Sequence, residues 1–222
     1  FGLLFLGLMF LKESVPDIHS NPQALSFLQQ FTEQGFLSFT IFILAGTVLT
    51  VVVQSSSAAM AITVTMAFMG WIDFPTAAAI VLGENLGTTI TAYLASIGTH
   101  ANARRAARAH LLFNLFGVFW IALIFHPFLA LVLNIAPWDA SLQVNFPLNL
   151  ALFHTMFNLT NTLLFLPFVT PFTRLVERLV RPGRSDEKTD YVLTFRSTGI
   201  QNTAQVRILE AKKEIKKMAV LT

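Results

Sequence analysis

The sequence predicts an all-α integral membrane protein, and three observations carry that prediction. The chain of 222 residues is 54% hydrophobic and only 12% charged, whereas soluble domains carry about 25% charged residues; its mean hydropathy is +0.63. It contains apolar stretches of membrane-helix length, two of them interrupted by short polar sequences, QSSS at residues 54–57 and GENLGTT at residues 83–89. Its basic residues are confined to Lys12, to Arg104, Arg105 and Arg108, and to positions from 174 onward. The absence of cysteine excludes a disulfide framework or a thiolate metal site. The abundance of phenylalanine, with 22 copies, suits helices that face lipid.

Taken in chain order, Phe1 opens inside an apolar run with no basic region before it, which reads as a fragment of a longer chain and not as a signal peptide. Residues 13–35 are too polar to span. They read as an external loop with an interfacial helix at about 22–31, capped by Asn21 with Pro22 at its first position. Residues 36–53 reach most of the way across a bilayer, but 58–72 are too short for a full crossing. The stretch of about 36–72 therefore reads as a re-entrant helical hairpin with QSSS at its tip and its second arm starting near Ser57. Residues of about 76–98 read as a discontinuous helix, opened by Gly83 and Gly87 within GENLGTT. Two further spans follow at about 109–134 and 148–171. The connector between them, PWDASLQVNFP, has no basic residue, so the chain returns to the side it left. The positive-inside rule places both basic blocks in the cytoplasm.

Domain organisation follows the same division: a transmembrane transport repeat over 1–172, then a cytoplasmic connector and the start of a helical regulatory domain over 173–222. The connector, TRLVERLVRPGRSDEKTD, is broken at Pro182–Gly183. Beyond it, Ala204, Ile208, Ala211, Ile215 and Met218 form an apolar stripe close to the 3.6-residue helical period. Bases and acids interleave in this tail, which argues against a nucleic-acid partner.

The chemistry concentrates where the apolar runs are interrupted. Non-helical backbone at membrane depth must be buried in protein or line a wet cavity. At QSSS, the N-terminal N–H groups and positive dipole end of the second arm face the tip, which suits an anion. Freed carbonyls and hydroxyl oxygens nearby suit a hard cation such as Na⁺. The plain alternative is that the serines are small residues packing one helix on another. In GENLGTT, Asn85, Thr88 and Thr89 place oxygens beside the opening. Glu84 is the only ionisable side chain in the middle of the predicted membrane region. It reads as a site for Na⁺ or a coupled proton, with a structural pairing to Arg104 or Arg105 as the alternative.

The pattern H-x-x-F-N occurs twice, as His110–Asn114 and His154–Asn158, each pair sharing a helix face, with Asn161 extending the second stripe. Further ligands for a metal are not evident on those faces, so interhelical hydrogen bonding is the better reading. His19, His100 and His126 belong to no constellation. No serine–histidine–acid set, phosphate loop or zinc motif is present, so the chain does not read as an enzyme.

Together, QSSSA, GENLGTTITA, RRAARAHLLFN and HTMFNLTNTLLFLPF resemble the second repeat of the type II sodium-dependent phosphate cotransporters, over about residues 1–172. The resemblance implies one half of an inverted-repeat transporter, each repeat having a QSSS hairpin and a broken helix, with paired tips holding phosphate and Na⁺ near the membrane midplane. Carried onto this chain, the binding residues are Gln54, Ser55, Ser56 and Ser57, with Asn85, Thr88 and Thr89 from the broken helix. This chain has a single QSSS, so the resemblance implies that the first repeat comes from a missing segment or a second chain, as in a homodimer. The tail resembles the opening helix of a PhoU-like domain. Its alternative is an amphipathic helix held on anionic lipid by Lys212, Lys213, Lys216 and Lys217.

The expected function is secondary active symport of inorganic phosphate with sodium ions, in a multi-pass protein of the cytoplasmic (inner) membrane, with no cofactor and no metal beyond sodium. No arginine reaches the predicted site, so helix N-termini, N–H groups and hydroxyls must hold the anion and Na⁺ must offset its charge. Each uncompensated charge crossing the membrane costs about 2.3 kcal/mol per 100 mV. Ligands of this kind do not titrate near neutral pH, which favours Na⁺ over H⁺. The alternatives are a symporter for another oxyanion or a carboxylate, and a non-transporting membrane phosphate sensor acting through its tail.

Overall fold

The computed structural model describes residues 6–7, 9–10, 35–181, 208–209, 211–213 and 215–216. The interfacial helix expected at 22–31 lies outside them, as do Ala204 and Met218 of the tail stripe. The chain divides into two compact units at Arg181 and Pro182. In the second unit, the described residues are helical and exposed, Ile208 and Ile215 among them.

In the first unit, every regular element from residue 35 to 181 is helical: α1 Phe36–Val53, α2 Ser56–Phe68, α3 Phe74–Ala95, α4 Ala101–Leu123, α5 Phe125–Ile135, α6 Phe146–Phe165 and α7 Val169–Leu179, with short 3₁₀ turns at Gln143–Asn145 and Leu166–Phe168. Three of these stretches, Phe36–Val53, Ala101–Leu123 and Gln143–Leu179, are long and apolar enough to cross a membrane. The protein is an all-α membrane protein.

α1 and α2 form a helical hairpin whose link is two residues long. Gln54 ends α1 in the left-handed conformation (φ 55°), its N–H donating to the Thr50 carbonyl at 2.8 Å. Extended Ser55 then starts α2, its hydroxyl accepting from the Ala58 N–H at 3.3 Å. That is an N-cap, the usual role of a serine before a helix. The tip falls where the sequence placed it, and α2 begins at Ser56, a residue earlier than expected.

α3 overturns one expectation. GENLGTT does not break the helix, which runs unbroken from Phe74 to Ala95, started by the Asp73 carboxylate accepting from the Thr76 N–H at 2.9 Å. Gly83 and Gly87 serve close packing instead. A Cβ on Gly83 would collide with the Ile43 carbonyl of α1, and one on Gly87 would stand 2.6 Å from the Thr50 Cβ. Reciprocally, a Cβ on Gly46 of α1 would collide with the Ile80 carbonyl of α3. These contacts advance together along both helices, so α1 and α3 run parallel with backbones nearly touching. The Thr47 hydroxyl bridges them, donating to Ile43 O at 2.8 Å with Gly83 O at 3.0 Å. Small residues that let backbones approach are how helices associate where no hydrophobic drive separates them from lipid. Glycine lacks a Cβ but keeps its N–H, so the helical ladder survives it.

The stretch at 109–134 is likewise not a single span. α4 ends at Leu123 and α5 restarts at Phe125, with Ile124 off the helical region (φ −127°, ψ 26°). Pro127 has no N–H to continue the ladder and its ring clashes with the carbonyl four residues earlier, that of Leu123, which places the break here. The last stretch, expected at 148–171, continues through the Leu166–Phe168 turn into α7.

Phenylalanine is as much a core residue as a lipid-facing one. Phe153 stacks on Phe157 with centroids 6.4 Å apart, and Trp120 stacks on Phe157 at 5.9 Å. Phe74, Phe125 and Phe128 meet Phe153 edge-on. This cluster joins α3, α4, α5 and α6 at one end of the unit. At the same end, the Gln143 amide donates to the Phe68 carbonyl at 2.7 Å, tying the connector to the end of α2. At the other end, Arg105 Nε donates to Val180 O at 3.1 Å and an Arg108 guanidinium N–H to Leu179 O at 3.0 Å. Arg105 and Arg108 of α4 therefore sit on the C-terminus of α7, where a cation is favoured by the helix dipole.

Candidate functional site

A cavity of about 310 Å³ opens where α2, α3, α4 and α6 converge. From α2 it takes Ser56, Ser57 and Met60, and from α3 Glu84, Asn85 and Thr88. From α4 it takes His110, Phe113 and Asn114, and from α6 His154 and Asn158. The serine tip, GENLGTT and both H-x-x-F-N stretches thus meet on one surface although more than 100 residues separate the first from the last.

Ser56 and Ser57 are the first residues of α2, so their N–H groups have no intrahelical acceptor. They bring the positive end of α2 to the cavity wall. Of the other expected residues, Gln54 and Ser55 are exposed at the hairpin link, and Ser55 acts as the N-cap. Thr89 is fully buried and donates to Leu86 O at 2.7 Å, away from the cavity lining. Asn85 and Thr88 line it, and Thr88 donates to Glu84 O at 2.9 Å.

Glu84 is 2% exposed. Its Oε1 accepts from the Thr63 hydroxyl at 2.6 Å, and its Oε2 is buried with no hydrogen-bond partner. The pairing to Arg104 or Arg105 does not form, since Arg105 is engaged by Asn102 and Val180 and no cation reaches Glu84 among the described residues. A carboxyl oxygen held this way needs a proton or a cation, because burying it bare costs several kcal/mol.

The histidine and asparagine stripes divide in role. His154 Nε2 meets Asn85 Oδ1 across helices at 3.2 Å, and Asn161 bridges α6 to α4, accepting from Trp120 Nε1 at 3.0 Å and donating to Phe113 O at 3.3 Å. Interhelical bonding therefore accounts for His154 and Asn161. Asn114 and Asn158 donate instead along their own helices, to His110 O at 3.2 Å and His154 O at 2.9 Å. Sequence reading left His110, Asn114, His154 and Asn158 out of the site. The repetition of their spacing on two helices was the available signal. Among the described residues no cluster of three or more histidines and carboxylates that would hold a metal ion is present.

Residues 3–135 match the model of the family described as Na⁺/Pi-cotransporter. "Putative inorganic phosphate export protein YjbB" of Escherichia coli is 32% identical over 180 residues, which are 81% of this chain and 31% of that protein. "Uncharacterized protein YqeW" of Bacillus subtilis is 33% identical over 138 residues, 62% of this chain and 43% of that protein. The mouse "Sodium-dependent phosphate transport protein 2C" is 41% identical over 88 residues, 38% of this chain and 15% of that protein. The chain thus spans less than half the length of these relatives. No solved structure matches it. With the match covering the hairpin, the GENLGTT helix and the first H-x-x-F-N stretch, the chain belongs to the Na⁺/Pi-cotransporter family.

Proposed function

We propose that this chain supplies one half of the binding site of a transporter that couples Na⁺ to inorganic phosphate by secondary active symport across the cytoplasmic membrane, with the tail in the cytoplasm. The observation that carries this reading is the cavity. It gathers the free N–H groups at the start of α2, serine and threonine hydroxyls, asparagine amides and the Glu84 carboxyl inside a bundle of membrane-length helices. An anion there meets N–H and O–H donors and no arginine, so a cation beside it must balance the charge.

The relatives' names divide on direction, one being named for export and another for sodium-dependent transport. A symport site works in either direction; the gradients of Na⁺ and phosphate decide which. The test is uptake and efflux of radiolabelled phosphate in proteoliposomes bearing the complete transporter, with Na⁺ gradients of either sign. Coupled movement that reverses with the gradient supports symport, and phosphate flux indifferent to Na⁺ removes it. Competition by sulfate, arsenate or dicarboxylates separates phosphate from other anions.

A further inference from the structure

We propose that α7 lies in the plane of the membrane surface at the end of the α6 span, with Leu175 and Leu179 in the lipid and Arg174, Arg178 and Arg181 on the phosphates of anionic headgroups. This surface lies outside the cavity, and its partner does not depend on which ions the cavity takes.

Length is the first reason. The run from Gln143 to Leu179 is 37 residues long. At 1.5 Å per residue it would reach about 55 Å as one helix, whereas the hydrocarbon layer is about 30 Å thick. α6 alone, with 20 residues, covers that thickness. The chain therefore leaves the span soon after Phe165, where the helix is interrupted. Pro167 and Pro171 bring no N–H to the ladder. Leu166–Phe168 tightens to a 3₁₀ turn, and Phe168 departs from the helical region (φ −101°, ψ 6°).

Neither hydrocarbon nor water suits α7 by itself. Arg174, Glu177 and Arg178 exclude it from the hydrocarbon, where charge is expensive. Yet Val169, Phe172, Leu175, Val176 and Leu179 recur at helical spacing on one face. The charged residues and Thr173 stand on the opposite face. The bundle covers one edge of the apolar face. Val176 is buried there, and Phe172 is half-buried, edge-on to Phe165 at 4.6 Å. On the other edge, Leu175 and Leu179 remain 49% and 51% exposed. A helix with one apolar and one charged face partitions to the membrane interface.

Placement and charge name the occupant. Arg105 and Arg108, near the start of α4, hold the last carbonyls of α7. Arg108 also lies over the Tyr93 ring at 5.8 Å, and tyrosine is enriched at the depth of the headgroups. Leu159, Leu163, Leu166 and Phe168 are exposed in turn along the chain leading to α7, so the lipid that covers α6 continues onto it. Arg174, Arg178 and Arg181 stand against the single acid Glu177, and among the described residues no hydrogen bond or ion pair holds any of the three. Their long stems let the guanidinium groups reach phosphate while the leucines stay in lipid.

The chain has no cysteine, so single cysteines can carry a nitroxide without further changes. Leu175→Cys and Leu179→Cys report the apolar face, Thr173→Cys and Glu177→Cys the opposite one, and Val48→Cys the interior of a span. The labelled full chain is placed in phosphatidylcholine vesicles with and without phosphatidylglycerol. Electron paramagnetic resonance then compares collisions with oxygen, which concentrates in acyl chains, and with a water-soluble nickel chelate. The ratio of oxygen to nickel collisions should be several-fold higher at 175 and 179 than at 173 and 177, and lower than at 48. Phe168→Cys replaces either leucine variant that does not fold. Equal access of nickel to both faces overturns the proposal. Labels at 175 and 179 shielded from both reagents also overturn it, because protein then covers the face. Phosphatidylglycerol should raise the ratio at 175 further, and Arg174→Gln with Arg178→Gln should abolish that increment. A ratio indifferent to phosphatidylglycerol, or an increment that survives both substitutions, removes the anionic headgroups as partner.

Discussion

At the scale of single residues, neighbours in QSSS stand differently, one capping α2 and two lining the cavity. Ser55 caps α2, so Ser55→Ala should cost about 1 kcal/mol of stability, read as a lower melting temperature. Ser56 and Ser57 line the cavity, so their alanine variants should fold normally and lower phosphate uptake. The reverse pattern would make Ser55 the ligand and its neighbours packing residues. Glu84 permits a sharper test, because Thr63 is the one hydrogen-bond partner of its carboxyl among the described residues. Thr63→Val should destabilise the wild type by about 1–3 kcal/mol, as expected when a buried polar atom loses its partner. A carboxylate near Na⁺ attracts it electrostatically. Glu84→Gln should therefore raise the Na⁺ concentration for half-maximal uptake with little effect on the phosphate requirement, and an unchanged Na⁺ curve would remove Glu84 from the cation site. If Glu84 instead carries a coupled proton, Glu84→Gln should flatten the pH dependence of uptake at saturating Na⁺.

At the scale of elements, the α1–α3 contact is the structural spine. Gly46, Gly83 and Gly87 stand where the two backbones touch, and a methyl group at Gly46 or Gly83 meets backbone, which cannot rotate away. Gly83→Ala should therefore destabilise by at least about 1–3 kcal/mol, the range for overpacking a filled interior, measured by unfolding in mixed micelles. A loss of only a few tenths would mean that α1 and α3 are not in backbone contact in the membrane. Pro127 defines another element boundary. Pro127→Ala restores the missing N–H, so the helical signal in circular dichroism should rise or stay level while the Phe125 and Phe128 packing on Phe153 is disturbed.

At the scale of the whole molecule, the first unit presents one serine tip and one cavity, which on the proposed symport reading are half of a two-hairpin site. The isolated 222-residue chain should not transport as a monomer, because α2 contributes a single set of free N–H groups. Proteoliposome flux from verified monomers would overturn that expectation, and flux restored by co-expressing a segment with the complementary hairpin would support it. Removing the tail separates transport from sensing. A transporter keeps Na⁺-coupled flux without residues 182–222, and a sensor loses its function while tolerating Ser57→Ala.

What the sequence alone determined follows from composition and local chemistry. Apolar runs without charge must be helices in lipid, because backbone groups can be satisfied there in few other ways. A polar tetrad between two such runs must turn, so the α1–α2 link was legible; that Ser55 caps α2 was not, because the sequence alone put the start of that arm near Ser57 and gave Ser55 as a ligand. Only the tertiary structure decided what the glycines of GENLGTT do. A missing Cβ permits both a kink and a close approach, and the choice depends on whether a neighbouring backbone is there to meet it; at Gly83 and Gly87, α1 is. The same holds for His110, Asn114, His154 and Asn158. Their spacing showed that each pair shares a helix face, but which faces converge depends on how α4 and α6 rotate against α2 and α3. That rotation is set by packing between residues far apart in the chain, such as Trp120 on Phe157 and Phe74 on Phe153, which no local pattern records.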